Sequence, residues 1–323
     1  MSRTITSVAL ALTAVAAFSL AACSSSSNAS GSETNSSTVR VGAAPIAHFY
    51  TARVAEERGF FDEEGLDVEL TDVTSASQQV ALMESGTLDI GGSGPAELLT
   101  AAAQGMSVKI LPFSDVSSTD PAKALRGIVI DPSKGITDVS QLKDQTLAVS
   151  NLLNAPHLDA LGTLDKDGIS KDDTTFVAIP SGQQWESLKG GEIQAAVMTD
   201  PSLTVALSDG AKVLEYPEKS GNLLAFSWFV SDDFAKDRPD DAQAFLRAMD
   251  KAAALIEEDS AILRAVAVEQ GLDQNVADTM RIPAYQRTLT AADLQPMADL
   301  LATYGVINQE IDPASVLTDL TGK

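Results

Sequence analysis

His48 and His157 are the only two histidines of the 323-residue chain. Each falls where a short strand pattern gives way to a helix pattern. Two imidazoles facing each other across a cleft grip an anion or stack on a flat ring; at either place an imidazole serves equally as a satisfied surface histidine. Ser75, Ser77 and Gln78 open a helix pattern. Backbone N–H groups and the helix dipole there suit an anionic or acceptor-rich ligand, unless these residues do no more than cap the helix. Ser93 and Gly94 lie in a Gly-rich stretch, 91–95, which lets backbone approach a ligand closely or makes a plain tight turn. Asn154, Ser181, Gln183 and Asp200 hold the equivalent places further on. Asp200 either recognises a donor on the ligand or caps the helix that Pro201 opens. Trp228 offers a flat apolar wall or belongs to the core. Arg126 is the cation best placed for an anionic ligand, with Lys123 a weaker second. So few cations near these loops argue against a strongly charged ligand, although helix termini bind anions without them.

Catalytic and metal chemistry is poorly supplied. One cysteine and two histidines make a thin zinc ligand set, and no D-x-D-x-D-G loop occurs among the carboxylates. The stretch Gly92-Ser93-Gly94 does not complete the G-x-S-x-G elbow of a hydrolase. No catalytic residue, metal or cofactor is expected.

The elements that must position these residues repeat. A strand pattern at 39–42 runs through a Pro-containing loop into a helix pattern at 49–58, stopped by Gly59. A strand at 66–70, a helix at 78–84 ended by Gly86, a strand at 88–90 and a helix after Pro95 follow. The same order returns as a strand at 146–149, a helix stopped by Gly168, a strand at 175–179, a helix at 183–189, a strand at 193–197 and a helix after Pro201. The spacings are nearly constant: His48 to His157 and Gly59 to Gly168 are each 109 residues, Gln78 to Gln183 and Gly86 to Gly191 each 105, and Pro95 to Pro201 106. Two topologically similar halves follow, whether by duplication or because βαβαβ segments resemble one another. Strands alternating with helices predict parallel sheets with helices on both faces, and ligands bind outside the carboxyl ends of such strands. Two halves facing each other make a cleft. Residues 109–113 read as a strand and 114–120 as a polar loop. Residues 125–130 cross to the second half; 213–214 and 223–230 carry the chain back. The remainder is helical, from Pro239, at 262–269 and at 291–304, the last opened by a Thr290-x-x-Asp293 capping box.

A net charge of −23 argues against nucleic acid as a partner and against a basic membrane-binding face. From Thr38 onward the chain suffices for two domains of ordinary size. Before it, Arg3, an apolar run at 8–20 and small residues ahead of Cys23 read as a secretory signal. That run is too short for the roughly 20 residues a spanning helix needs. Leu20-Ala21-Ala22-Cys23 resembles the lipobox of bacterial lipoproteins, whose thiol receives a lipid; the alternative is an ordinary signal peptide with a chance cysteine. The expectation is a signal peptide over 1–22, a flexible Ser-rich tether over 23–37, and an extracytoplasmic protein held to the cell membrane by lipid on Cys23.

The segment His48-x4-Arg53-x-Ala55-x3-Gly59-Phe60-Phe61-x2-Glu64-Gly65-Leu66-Asp67-Val68 resembles the opening of the nitrate/sulfonate/taurine-type solute-binding proteins of ABC importers. Relatives of that family bind the pyrimidine precursor of thiamine. Leu82-x3-Gly86-x-Leu88-Asp89-Ile90-Gly91 continues the resemblance. So does Val139-x2-Leu142-Lys143-Asp144-Gln145-Thr146-Leu147-Ala148-Val149, with Gln145 where Gly or Gly-Lys is usual. The resemblance covers about residues 39–260. It implies an α/β, two-lobed type 2 periplasmic-binding-protein-like fold, each lobe a mostly parallel sheet flanked by helices, with the ligand in the interlobe cleft. Lobe 1 would comprise 38–125 with 226–323, and lobe 2 would comprise 126–225, closing about crossings near Arg126 and Ala225. It implies a monomer that captures a small solute and delivers it to the transmembrane subunits of an ABC permease. Sulfonate, nitrate, taurine and aromatic or heteroaromatic compounds all remain open as ligands. A sensory lipoprotein signalling to a membrane kinase would read the same way. Thiamine-pyrimidine synthases also resemble the family, but they carry a cysteine-rich motif that this chain lacks.

Overall fold

The short apolar runs between the helix patterns become strands of two sheets in the computed structural model, which describes residues 38–44, 46–73, 76–217 and 224–320. Cys23, the expected tether and Ser75 lie outside the described residues. The first repeat runs β1 (Val39–Ala43), α1 (Ala47–Glu57), the short α2 (Phe60–Glu63), β2 (Val68–Asp72), α3 (Ala76–Glu84), β3 (Ile90–Ser93), α4 (Pro95–Ala103) and β4 (Lys109–Val116). After β5 (Arg126–Ile130), the second runs β6 (Thr146–Val149), α5 (Ala155–Lys166), β7 (Thr175–Ala178), α6 (Ser181–Gly190), β8 (Ala195–Thr199), α7 (Ser202–Ser208) and β9 (Lys212–Glu215). β10 (Leu224–Val230), α8 (Asp232–Asp237), α9 (Pro239–Glu258), α10 (Ala261–Glu269), α11 (Gln274–Thr279), β11 (Ala284–Gln286) and α12 (Ala291–Thr303) complete the chain.

Strand pairing carries the repeat. One sheet has the order β11-β4-β10-β3-β1-β2 and the other β7-β6-β8-β5-β9. β1 lies parallel between β2 and β3, and β6 lies parallel between β7 and β8. Each sheet then takes in a reversed strand: β10 between β3 and β4, β5 between β8 and β9. Four strands of each sheet therefore share one direction, so the sheets are mixed but mostly parallel. The reversed strands are the expected crossings, and they are full sheet members rather than connectors. All of β5 is buried, and β10, Leu-Ala-Phe-Ser-Trp-Phe-Val, is buried along nearly its whole length, as a central strand's continuous apolar run requires.

Two polar-looking stretches are strand, not loop. Gly91, Gly92 and Ser93 belong to β3. A Cβ on Gly92 would sit 2.1 Å from Phe226 Cζ, and one on Gly91 2.6 Å from Phe229 Cε1. These glycines therefore make room for the aromatic side chains of β10. Ser114 and Asp115, expected in a loop, lie in β4 and are fully buried. Gly59 and Gly168, with φ of 72° and 80°, follow α1 and α5 in the left-handed conformation that glycine adopts without a Cβ penalty. Beneath the first sheet, Phe49, Phe226, Trp228 and Phe245 pack edge to face, the arrangement favoured by ring quadrupoles. A second apolar cluster joins the repeats: Leu158 and Leu161 of α5 share it with Leu98 and Leu99 of α4 and with Leu294, Met297 and Leu301 of α12.

Candidate functional site

The carboxyl ends of β3, β6 and β8 and the starting ends of β5 and β10 border one cleft of about 850 Å³. Its walls come from both repeats. The first supplies His48, Ser77, Gln79, Ser93, Gly94 and Glu97, the second Ser150, Leu152, Leu153, Asn154 and Thr199, and the crossings Arg126 and Phe226. This is where strand polarity places a ligand in an open α/β sheet.

On the first wall, α1 begins beside the cleft and holds His48 half-buried. Its Nδ1 lies 3.0 Å from Asp115 Oδ2, and its ring stacks on Phe226, with centroids 5.1 Å apart and planes 4° from parallel. Asp115 is wholly buried; burial pushes its carboxyl pKa up, and His48 opposes the shift. Its Oδ1 has no hydrogen-bond partner among the described residues. Gln79 fastens α3 to β3, donating Nε2–H to Gly92 O at 2.9 Å and accepting Gly92 N–H at 2.8 Å. Behind α1, the Thr51 and Tyr285 hydroxyls pair at 3.0 Å.

Glu97 sits three residues past Gly94, the N-cap of α4. Burial raises its carboxyl pKa, against a hydrogen bond from its own backbone N–H and the opposing charge of Arg126. Its Oε2 is shielded from solvent and has no partner among the described residues.

On the second wall, Asn154 caps α5: its Oδ1 accepts His157 N–H at 3.1 Å and its Nδ2 donates to Ser150 Oγ at 3.0 Å. The loop before it holds Leu153 at φ 64° and leaves Leu152 and Leu153 exposed at 51% and 49%. Arg126 is buried in an ion pair with Asp159 of α5, and its Nη2 donates to Leu224 O at 3.3 Å. The first residue of one crossing is thus tied to the first residue of the other.

Of the residues singled out from sequence, the cleft brings together His48, Ser77, Ser93, Gly94, Arg126 and Asn154. Gln78 is exposed on α3 and does not line it. Ser181 and Gln183, at the start of α6, lie elsewhere. His157 is buried behind the Asn154 turn, its ring against Phe176. Asp200 is buried beside the cleft, bonded by Thr204 Oγ1 and 3.4 Å from Arg281 Nη1. Trp228 belongs to the core. Sequence reasoning missed Gln79, Glu97, Asp115 and the Leu152–Leu153 pair. Glu97 had a signal, as the single charged residue of Pro95–Ala103. Among the described residues no cluster of three or more His, Cys, Asp or Glu side chains could hold a metal ion.

A family profile described as NMT1/THI5 like matches residues 46–261. The chain is 26% identical over 247 residues to a Bacillus subtilis (strain 168) protein provisionally named an aliphatic sulfonates-binding protein, covering 74% of this chain and 71% of that one. It is 25% identical over 214 residues to the 4-amino-5-hydroxymethyl-2-methylpyrimidine phosphate synthase of Schizosaccharomyces pombe, covering 62% of this chain and 59% of the synthase. Among solved structures, the alkanesulfonate-binding protein SsuA from Xanthomonas axonopodis pv. citri bound to MOPS superposes with a TM-score of 0.73 at 20% identity, covering 87% of this chain and 97% of that one. The periplasmic aliphatic sulphonate binding protein SsuA from Escherichia coli gives 0.75 at 18%, covering 88% and 94%. The fold is that of periplasmic binding proteins, as the sequence resemblance implied.

Proposed function

The chain belongs to the NMT1/THI5-like family, and we propose that it is a non-catalytic receptor that captures a small solute outside the cytoplasm and hands it to an ABC permease. The observation that carries this reading is the cleft itself. It is lined by strand ends from both repeats and reached by both crossing strands, so that one ligand touches both halves at once. The two lobes would be 38–125 with 226–323 and 126–225, each built on one sheet and closing about the Arg126–Leu224 junction. The signal-like amino end, Cys23 and the Ser-rich stretch after it support secretion and a lipid anchor. With Cys23 as its one cysteine, the chain lacks the cysteine-rich motif of the pyrimidine synthases, which favours a receptor over an enzyme.

A thermal-shift screen of residues 38–323 against alkanesulfonates, taurine, nitrate, aromatic carboxylates and thiamine pyrimidines tests the reading. A ligand at 100 times its Kd adds about 2.7 kcal/mol, a rise of roughly 5 °C or more. No shift in any series, together with no small molecule in the denatured extract by mass spectrometry, would sink it. For the anchor, Cys23→Ser should release the protein from the membrane fraction; retention there would refute lipidation.

A further inference from the structure

The acids lining the cleft outnumber its strong base. Among the described lining residues the acids are Glu84 and Glu97, and the strong base is Arg126, whose Nη1 is engaged by Asp159 and Nη2 by Leu224 O, while its buried Nε has no partner among the described residues. His48 gives its Nδ1 to Asp115. At α4 and α5 the helix ends offer little more to an anion. Pro95 and Pro156 remove N–H donors from the first turns of α4 and α5, Asn154 Oδ1 takes the His157 N–H, and Glu97 places a carboxylate at the start of α4. Glu97 Oε2 instead lies over Gly94 with no partner among the described residues; a Cβ on Gly94 would come within 2.6 Å of it. A shielded carboxylate oxygen without a donor is costly, and a ligand N–H in the cleft would satisfy it. Around it the surface is apolar: Ile46, Met106, Leu152 and Leu153, four large hydrophobic side chains left exposed, all line this cleft. The Phe226 ring also lines it, with His48 stacked upon it.

We propose that this cleft selects a small amine or amidine with an apolar body, its N–H donated to Glu97 and its body laid against Phe226, Leu152 and Leu153, in preference to a sulfonate of the same size. The inference rests on the receptor reading and narrows it to one ligand class.

Matched probes decide it. Benzylamine and benzamidine are compared with phenylmethanesulfonate by calorimetry on residues 38–323 and on Glu97→Gln, which keeps the side chain's size. The denatured extract of each preparation is examined by mass spectrometry for a co-purified ligand. The expected result is tighter binding of the amine and amidine by the wild type. In Glu97→Gln that binding should weaken at least tenfold while the sulfonate is held equally or better. Tighter binding of the sulfonate by the wild type would overturn the ligand class and leave the receptor standing. Equal amine affinity in wild type and variant, with a lowered melting temperature of the free variant, would mean that Glu97 only caps α4, and would overturn its role. If no probe binds, a co-purified amine supports the proposal and any other co-purified solute overturns it; with no co-purified solute either, the ligand class is overturned, while the receptor reading stands or falls by the wider thermal-shift screen.

Discussion

His48 and His157 hold corresponding places in the two repeats, yet their imidazoles do opposite things. His48 stands at the cleft with Nδ1 on a buried carboxylate and its face on Phe226. His157 is sealed behind its loop, and its Nδ1 accepts the Leu153 N–H at 2.8 Å. That bond requires an unprotonated Nδ1, and burial holds its pKa down at about 4. The helices behind them are anchored differently too: α5 by the buried Asp159–Arg126 pair, α1 by aromatic packing and the Thr51–Tyr285 hydroxyls. A repeat fixes where a backbone goes; the neighbour of each side chain decides whether it faces a ligand or locks a loop.

Three variants break or sharpen this contrast. Asp159→Ala, which strips the partner from a buried guanidinium, should have the largest effect. The loss is expected at about 3–5 kcal/mol, a fall in Tm of roughly 10 °C by calorimetry; a fall of only a degree or two would mean that α5 is held by its apolar contacts alone. His48→Gln keeps a donor for Asp115 but removes the stacked ring, so Tm should hardly move while affinity for whatever ligand the screen identifies drops about tenfold, near 1.4 kcal/mol. Unchanged affinity would take His48 out of the site. His157→Gln should act least, and only in acid. The folded His157 pKa lies below the unfolded value of about 6.5. The unfolded chain therefore binds more protons, and stability falls as pH drops from about 6.5 to about 4. Asp115, Glu97 and Asp200 carry raised carboxyl pKa values and titrate in the opposite sense, so the variant must be compared with wild type at each pH. The gap between them should change below pH 6.5 and stay constant above it; a constant gap down to pH 4 would show that His157 does not titrate on unfolding.

The order of strands and helices was legible because each boundary has a local cause: Gly59 and Gly168 at helix ends, apolar runs at β10 and β5, and the Thr290–Asp293 capping box. The cleft was legible as a place, since strand polarity sets it, and six of the thirteen ligand-binding candidates line it. The individual contacts were not. Gly91-Gly92-Ser93 reads as a loop unless one knows that Phe226 and Phe229 pack across it. Asp115 reads as loop polarity until β4 is seen to continue to Val116, with His48 meeting Asp115 from 67 residues away. Asn154, by contrast, was found from its place in the repeat, and only the structure shows it capping α5. A capping box such as Thr290–Asp293 announces itself; side chains that act across a sheet do not.

The exchange of β5 and β10 between the sheets bears on how the chain comes into being. Emerging amino end first, from a ribosome or a secretion channel, the first repeat produces β3 and β4 with nothing to lie between them, because β10 is still to come. Gly91 and Gly92 then face an open gap that Phe226, Trp228 and Phe229 will fill only after the whole second repeat has appeared. The second sheet holds all five of its strands once β9 is out. The half built on the second sheet is therefore able to close first, and the half that the chain both begins and ends waits for its last strands.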